Sequence, residues 1–102
     1  AETSRHFAAK LIFRRAANRR REFQVDQPRA VAALAALAQD TRLAVFRLLV
    51  RAGPDGMIAG AIAEHIGTPG STMSHHLATL ERAGLVVSGR ESRLIRYTAN
   101  FE

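Results

Sequence analysis

The sequence predicts a mostly α-helical fold with a small two-stranded β-wing, an α+β arrangement. Three observations predict it. Apolar residues recur at three- and four-residue spacing from Val31 to Leu80, the period of helices buried on one side. Two such stripes flank the Gly67-Thr68-Pro69-Gly70 turn. Two strand-like runs, residues 85–90 and 94–98, then carry Arg90 and Arg96. Helix, turn, helix and basic ribbon in that order make a winged helix-turn-helix, a shape that fits a DNA groove.

Composition bounds the rest. A chain of 102 residues suffices for one small domain with a single core. No window approaches the ~18 uninterrupted apolar residues of a membrane helix, so no membrane partner is expected. Cysteine is absent, which excludes disulfides and thiolate metal sites and fits a reducing cytosol. The net charge of +6 is unevenly placed. Residues 1–24 hold Arg5, Lys10, Arg14, Arg15, Arg19, Arg20 and Arg21 against Glu2 and Glu22, a net of +5. Residues 25–102 hold eight Arg against seven acids, a net of +1.

Residues 1–27 therefore read as a basic amphipathic N-terminal extension and 28–102 as the DNA-binding domain. Ala8, Ala9, Ile12, Phe13, Ala16 and Ala17 give the extension a helical stripe. It is read as an extra helix on the body or a partner subunit, as a non-native arm, or as a basic arm touching phosphates or a membrane surface. An organelle transit peptide is a weaker fit.

In the body, Pro28 suits a first helical turn, where its missing N–H needs no partner. Val31, Leu34, Ala35 and Ala38 form one stripe of an alanine-rich first helix and are the expected dimer interface. Small side chains there allow a second helix to approach closely. Asp40 reads as the N-cap of a second helix, residues 41–52, with Leu43, Phe46, Leu49 and Val50 facing the core. Gly53-Pro54-Asp55-Gly56 stops it. Ile58, Ile62 and Ile66 place a third helix over residues 59–66, which Gly67 ends.

Thr68-Pro69 reads as cap and first position of a fourth helix, residues 69–83, with Gly84 as its stop. Met73, Leu77 and Leu80 share its buried side. Ser71, His75, Ala78 and Arg82 point the other way, flanked by Thr72 and Thr79 on one edge and Ser74 on the other. An ordinary solvated face would carry more Glu and Lys. Short donors and acceptors without acids are what base edges in a major groove accept, which makes Ser71, Thr72, Ser74, His75 and Thr79 the recognition residues. His76, at the edge of the buried side, is expected to be a hydrogen-bonded structural residue.

The closing strands join at Glu91-Ser92-Arg93, with Val87, Ile95 and Tyr97 on the buried face. Arg90, Arg93 and Arg96 project from the ribbon and its tip, where they neutralise phosphate or enter a minor groove. Edge protection by charge is the plainer alternative.

With these residues in place, the chain resembles the ArsR/SmtB family of winged-helix repressors from about Pro28 onward. The resemblance rests on Leu37-Ala38-Gln39-Asp40-Thr41-Arg42-Leu43, on Ser71-Thr72-Met73-Ser74-His75-His76-Leu77, on Leu80-Glu81-Arg82-Ala83-Gly84-Leu85-Val86, and on the arginine-rich hairpin ending in Tyr97. It implies a cytoplasmic bacterial homodimer that represses an operon from a pseudo-palindromic operator until an inducer releases it. The family's metal sites on the third helix use cysteines, and those near the C-terminus use a fifth helix or a cysteine-bearing tail. Ala59-Gly60-Ala61-Ile62-Ala63-Glu64-His65 has no cysteine. The chain also stops at Phe101-Glu102, where the family's fifth helix begins, so the expected domain lacks that dimerisation helix.

No metal or cofactor site is expected, because the spacing of His6, Asp55, Glu64 and His65 is not that of ligands. An enzyme is not expected either: Ser71, Ser74 and His75 share an exposed helix face with no third orienting group. Two alternatives stay open, a winged-helix protein-interaction module and a non-specific nucleic-acid binder acting through the basic arm.

Overall fold

Helix α1 (Gln27–Leu37) opens the described part of the chain, residues 27–101 of the computed structural model. The stripe expected in residues 1–24 lies outside the described residues. Beyond α1 come α2 (Asp40–Ala52), a 3-10 turn (Gly53–Asp55), β1 (Met57–Ile58), α3 (Ala59–Ile66), α4 (Gly70–Arg82), β2 (Val86–Glu91) and β3 (Leu94–Ala99). The strands form one antiparallel sheet in the order β1-β3-β2. The wing is therefore three-stranded rather than two-stranded, because Met57 and Ile58 pair with Tyr97 and Arg96. Two residues are too short a run to show a strand period in sequence.

One core joins these elements. Val45 and Leu49 of α2, Ile62 and Ala63 of α3, Met73, Leu77 and Leu80 of α4, Val86 of β2, Ala99 of β3 and Ala36 of α1 are all buried. Burying the larger of these, Val, Leu, Ile and Met, stabilises by about 1.5–3 kcal/mol each, before the entropy cost of ordering them.

The structure corrects several expected positions. Gln39, not Asp40, caps α2: its extended backbone lets Oε1 accept the Arg42 N–H at 2.8 Å. Asp40 becomes the first helical residue, where an acid complements the helix dipole. Leu43 and Val50 are 41% and 43% exposed rather than buried. At 100° per residue Val50 lies 100° round the helix from Leu49, and Leu43, seven residues before Val50, lies on that same side at 120°. Phe46 does pack against the core. Pro69 is the N-cap of α4 rather than its first helical residue, since its carbonyl accepts the Met73 N–H at 2.9 Å. No side chain caps that helix, so the expected Thr68 cap is not formed.

In the wing, Tyr97 packs against the core, but Val87 and Ile95 are 47% and 43% exposed. Val86 pairs with Ala99 and Val87 with Thr98, so Val87 falls on the face opposite Val86. Ile95 shares the inner face with Tyr97 but pairs with Arg90 further along the hairpin, away from the buried Val86–Ala99 end.

Gly56 fixes how the α2–β1 connection meets the sheet. Its φ is +61°, and a Cβ there would overlap the Tyr97 carbonyl oxygen. Only glycine lets the two backbones approach this closely.

Candidate nucleic-acid interface

The pair α3 and α4 is joined by three residues. Gly67 adopts the left-handed conformation at φ 80°, and its N–H reaches the Ala63 carbonyl at 2.9 Å. Thr68 donates its backbone N–H to the same carbonyl at 3.0 Å. These two hydrogen bonds to one acceptor turn the chain sharply enough for α4 to pack across α3.

The packing of Met73, Leu77 and Leu80 sets which side of α4 faces out. Ser71, Thr72, Ser74 and His75 are exposed, and Thr79 is half-buried. The first turn holds no acid, and Arg82 occupies the last turn. A helix N-terminus of this kind favours anions near its free N–H groups. Thr79 differs from the other four. Its hydroxyl donates to the His75 carbonyl at 3.0 Å and accepts from Arg82 Nη2 at 3.3 Å, so part of its capacity is engaged within the helix.

The two histidines diverge, with ring centroids 6.1 Å apart and planes tilted by 56°. His76 sits at the edge of the buried side, as expected, but its hydrogen bond does not form: among the described residues Nδ1 is shielded from water and has no partner. Burial, then the charge of Arg42, then that of His75 push its pKa below the ordinary 6.5.

Two contacts fix the wing against the helices. Ser88 Oγ donates to the Glu81 carboxylate, tying β2 to the end of α4. Asn100 reaches back with its side-chain amide to the Gly84 carbonyl at 3.0 Å. Tyr97 lies inside this joint, and burial, followed by the Glu81 charge, raises its pKa. Sequence reasoning missed both contacts, since each joins groups that only the fold brings together.

The three wing arginines are not equivalent. Arg90 and Arg93 are exposed, with no hydrogen bond or ion pair among the described residues. Arg96 lies on the opposite face of the ribbon from Arg90, across from Gly89. It is paired with Glu91 at 2.8 Å and bonded to the Asp55 carbonyl at 3.0 Å. On α1, Val31 and Leu34 are 59% and 69% exposed, with Ala35 beside them. Ala38 is also exposed, but it lies in the bend after α1 rather than on the helix.

Among the described residues no group of three His, Asp or Glu could hold a metal ion, and no helix is long and apolar enough to cross a membrane.

These features have counterparts in known proteins. A helix-turn-helix domain family matches residues 37–88. No curated protein matches the sequence. Among solved structures, HlyU from Vibrio cholerae is similar at 29% identity and TM-score 0.66, over 74% of this chain and 78% of that one. A homodimeric winged helix-turn-helix DNA-binding domain from Mycobacterium bovis, described as a possible ArsR-family regulator, matches at 26% identity and TM-score 0.68 over 78% and 70%. An ArsR-like transcriptional regulator from Rhodococcus matches at 29% identity and TM-score 0.62 over 72% and 66%. The chain thus belongs to the helix-turn-helix domain family and, within it, to the ArsR-type winged-helix transcriptional regulators, which are DNA-binding proteins and not enzymes.

Proposed function

We propose that this chain is a sequence-specific repressor that binds a pseudo-palindromic operator as a homodimer and leaves it when an inducer binds. The observation that carries the reading is the outward face of α4, where Ser71, Thr72, Ser74 and His75 stand opposite the buried Met73, Leu77 and Leu80. Short polar groups on a helix of that width suit base edges in a major groove. Thr79 adds a partly engaged hydroxyl at the far end. Arg90, Arg93 and Arg96 of the wing serve the phosphate backbone or the adjacent minor groove.

One such helix reads only a few base pairs, so a lone subunit has little specificity, and two-fold pairing doubles the contacts. Val31, Leu34 and Ala35 of α1, with Ala38 beyond its end, supply the pairing surface. The Mycobacterium relative, described as homodimeric, supports pairing as such. The DNA-binding domain is taken as residues 28–102, with residues 1–27 as a basic extension. A DNA partner of this kind goes with a location in the bacterial cytoplasm. With no cysteine in these residues, release by arsenite through thiolates is not open to them.

Selection of binding sites from randomised duplexes, followed by sedimentation of the complex, tests the reading. The expected product is an inverted repeat with half-sites about 34–36 Å apart, or a multiple, and two chains per duplex. A pool with no enriched motif, whose binding vanishes when residues 1–26 are removed, would assign binding to the arm instead.

A further inference from the structure

A cleft of about 280 Å³ opens between α2 and α3. Ala44, Leu48 and Ile66 make its apolar part, and Arg47, Arg51 and His65 its polar part. Leu48 and Ile66 also pack against the core, so that floor is fixed. Arg47, Arg51 and His65 are exposed, and none has a hydrogen bond or ion pair among the described residues. No carboxylate lines the cleft.

This arrangement is not explained by helix stability. Arg51 and His65 each lie in the last turn of their helix, where a cation complements the dipole. Arg47 lies one turn earlier and has no such role. Arginines at i and i+4 repel each other on a helix face unless an anion lies between them. Two guanidinium forks one turn apart can each offer paired N–H donors to phosphate oxygens, and the imidazole N–H adds a third donor. The volume is close to the lower end of small-ligand sites, and an apolar floor with a few convergent polar groups is their usual lining.

We propose that the α2–α3 cleft binds a phosphate group, held by Arg47, Arg51 and His65, with room on the Ala44–Leu48–Ile66 floor for a small organic body. The phosphate belongs either to a free organic phosphate or to the DNA backbone.

Nitrogen-15 NMR of the full chain, titrated at constant ionic strength with inorganic phosphate and then phenyl phosphate, tests the site. The expected result is saturable shifts in residues 44–51 and 65–66, with phenyl phosphate binding several-fold tighter because the floor is apolar. Arg47→Ala/Arg51→Ala should weaken binding at least tenfold, while Arg29→Ala/Arg82→Ala, which removes the same charge elsewhere, should not. Circular dichroism melts check that each variant is folded. The second arm is the salt dependence of DNA binding. A log–log slope lowered by about 2 in Arg47→Ala/Arg51→Ala, without saturable phosphate binding, assigns the cleft to backbone phosphate. Non-saturating shifts shared equally with Arg29 and Arg82, together with an unchanged slope, would overturn the site. The phosphate arm reads the cleft even if operator binding fails, so the two proposals stand or fall separately.

Discussion

Arg96 and Glu91 form an ion pair along the wing, Nε donating to Oε2 at 2.8 Å, while the same guanidinium reaches back to the Asp55 carbonyl. The pair joins the tip of the ribbon to the turn after α2. Both side chains are well exposed, so its contribution to stability is small, about 0–1 kcal/mol. Its larger consequence is for DNA. An arginine already facing a carboxylate gains less from a phosphate than one that faces only water.

Arg90→Ala and Arg93→Ala are therefore each expected to lower the log–log salt slope of DNA binding by about 1 if the residue contacts phosphate. Arg96→Ala should lower it less. Glu91→Gln should strengthen binding, because it removes an acid near the tip and frees Arg96. Anisotropy titrations between about 50 and 200 mM salt measure this. An unchanged slope for both Arg90→Ala and Arg93→Ala would remove the wing from the interface.

On α4, Thr72→Ala and His75→Ala should each cost about 1–3 kcal/mol on the operator and little on random DNA. Thr79→Val should cost less than Thr72→Ala, since its hydroxyl already serves the His75 carbonyl and Arg82. Competition binding with specific and scrambled duplexes separates these cases. Equal losses on both duplexes would show that the residues do not read sequence.

The helices of this fold were legible because their signals are local and periodic. Ile62, Met73, Leu77 and Leu80 sit where their spacing puts them, and Gly67 has the positive φ a helix stop requires. What failed depended on distant partners. β1 exists only because Tyr97 and Arg96 lie beside it, 40 and 38 residues later in the chain. Val87 was misplaced because the hairpin register, and not composition, decides which face of a ribbon turns inward. The polar face of α4 was visible as a pattern. The engagement of Thr79 and Arg96 was not, since each depends on which rotamer finds a partner.

Gly56→Ala is expected to destabilise by about 2–5 kcal/mol, from a backbone region reserved for glycine and the overlap with Tyr97. Gly89→Ala makes the comparison, because nothing lies within 4 Å of a Cβ there and its φ is not positive. Urea melts of the two variants check the difference. Similar midpoints would contradict the role given to Gly56.

Stability should fall with acidification through His76. Its pKa is held below the ordinary 6.5 when folded, so the unfolded chain takes up that proton first. The contribution is complete above about pH 6.5 and is lost as pH falls through the folded value. Thermal melts of the wild type and His76→Gln across pH 5–8 measure it. The wild type should lose more stability than the variant on the acid side, and parallel curves would contradict the assignment.

The function proposed for α4 is to read base sequence. Its most direct test is the affinity ratio between the selected inverted repeat and a scrambled duplex, measured by anisotropy at about 150 mM salt. The wild type should discriminate by about 10³ or more. Thr72→Ala/His75→Ala should cut that ratio by about 30-fold or more, corresponding to at least about 2 kcal/mol. An undiminished ratio in the double variant, or no discrimination by the wild type, would contradict the claim.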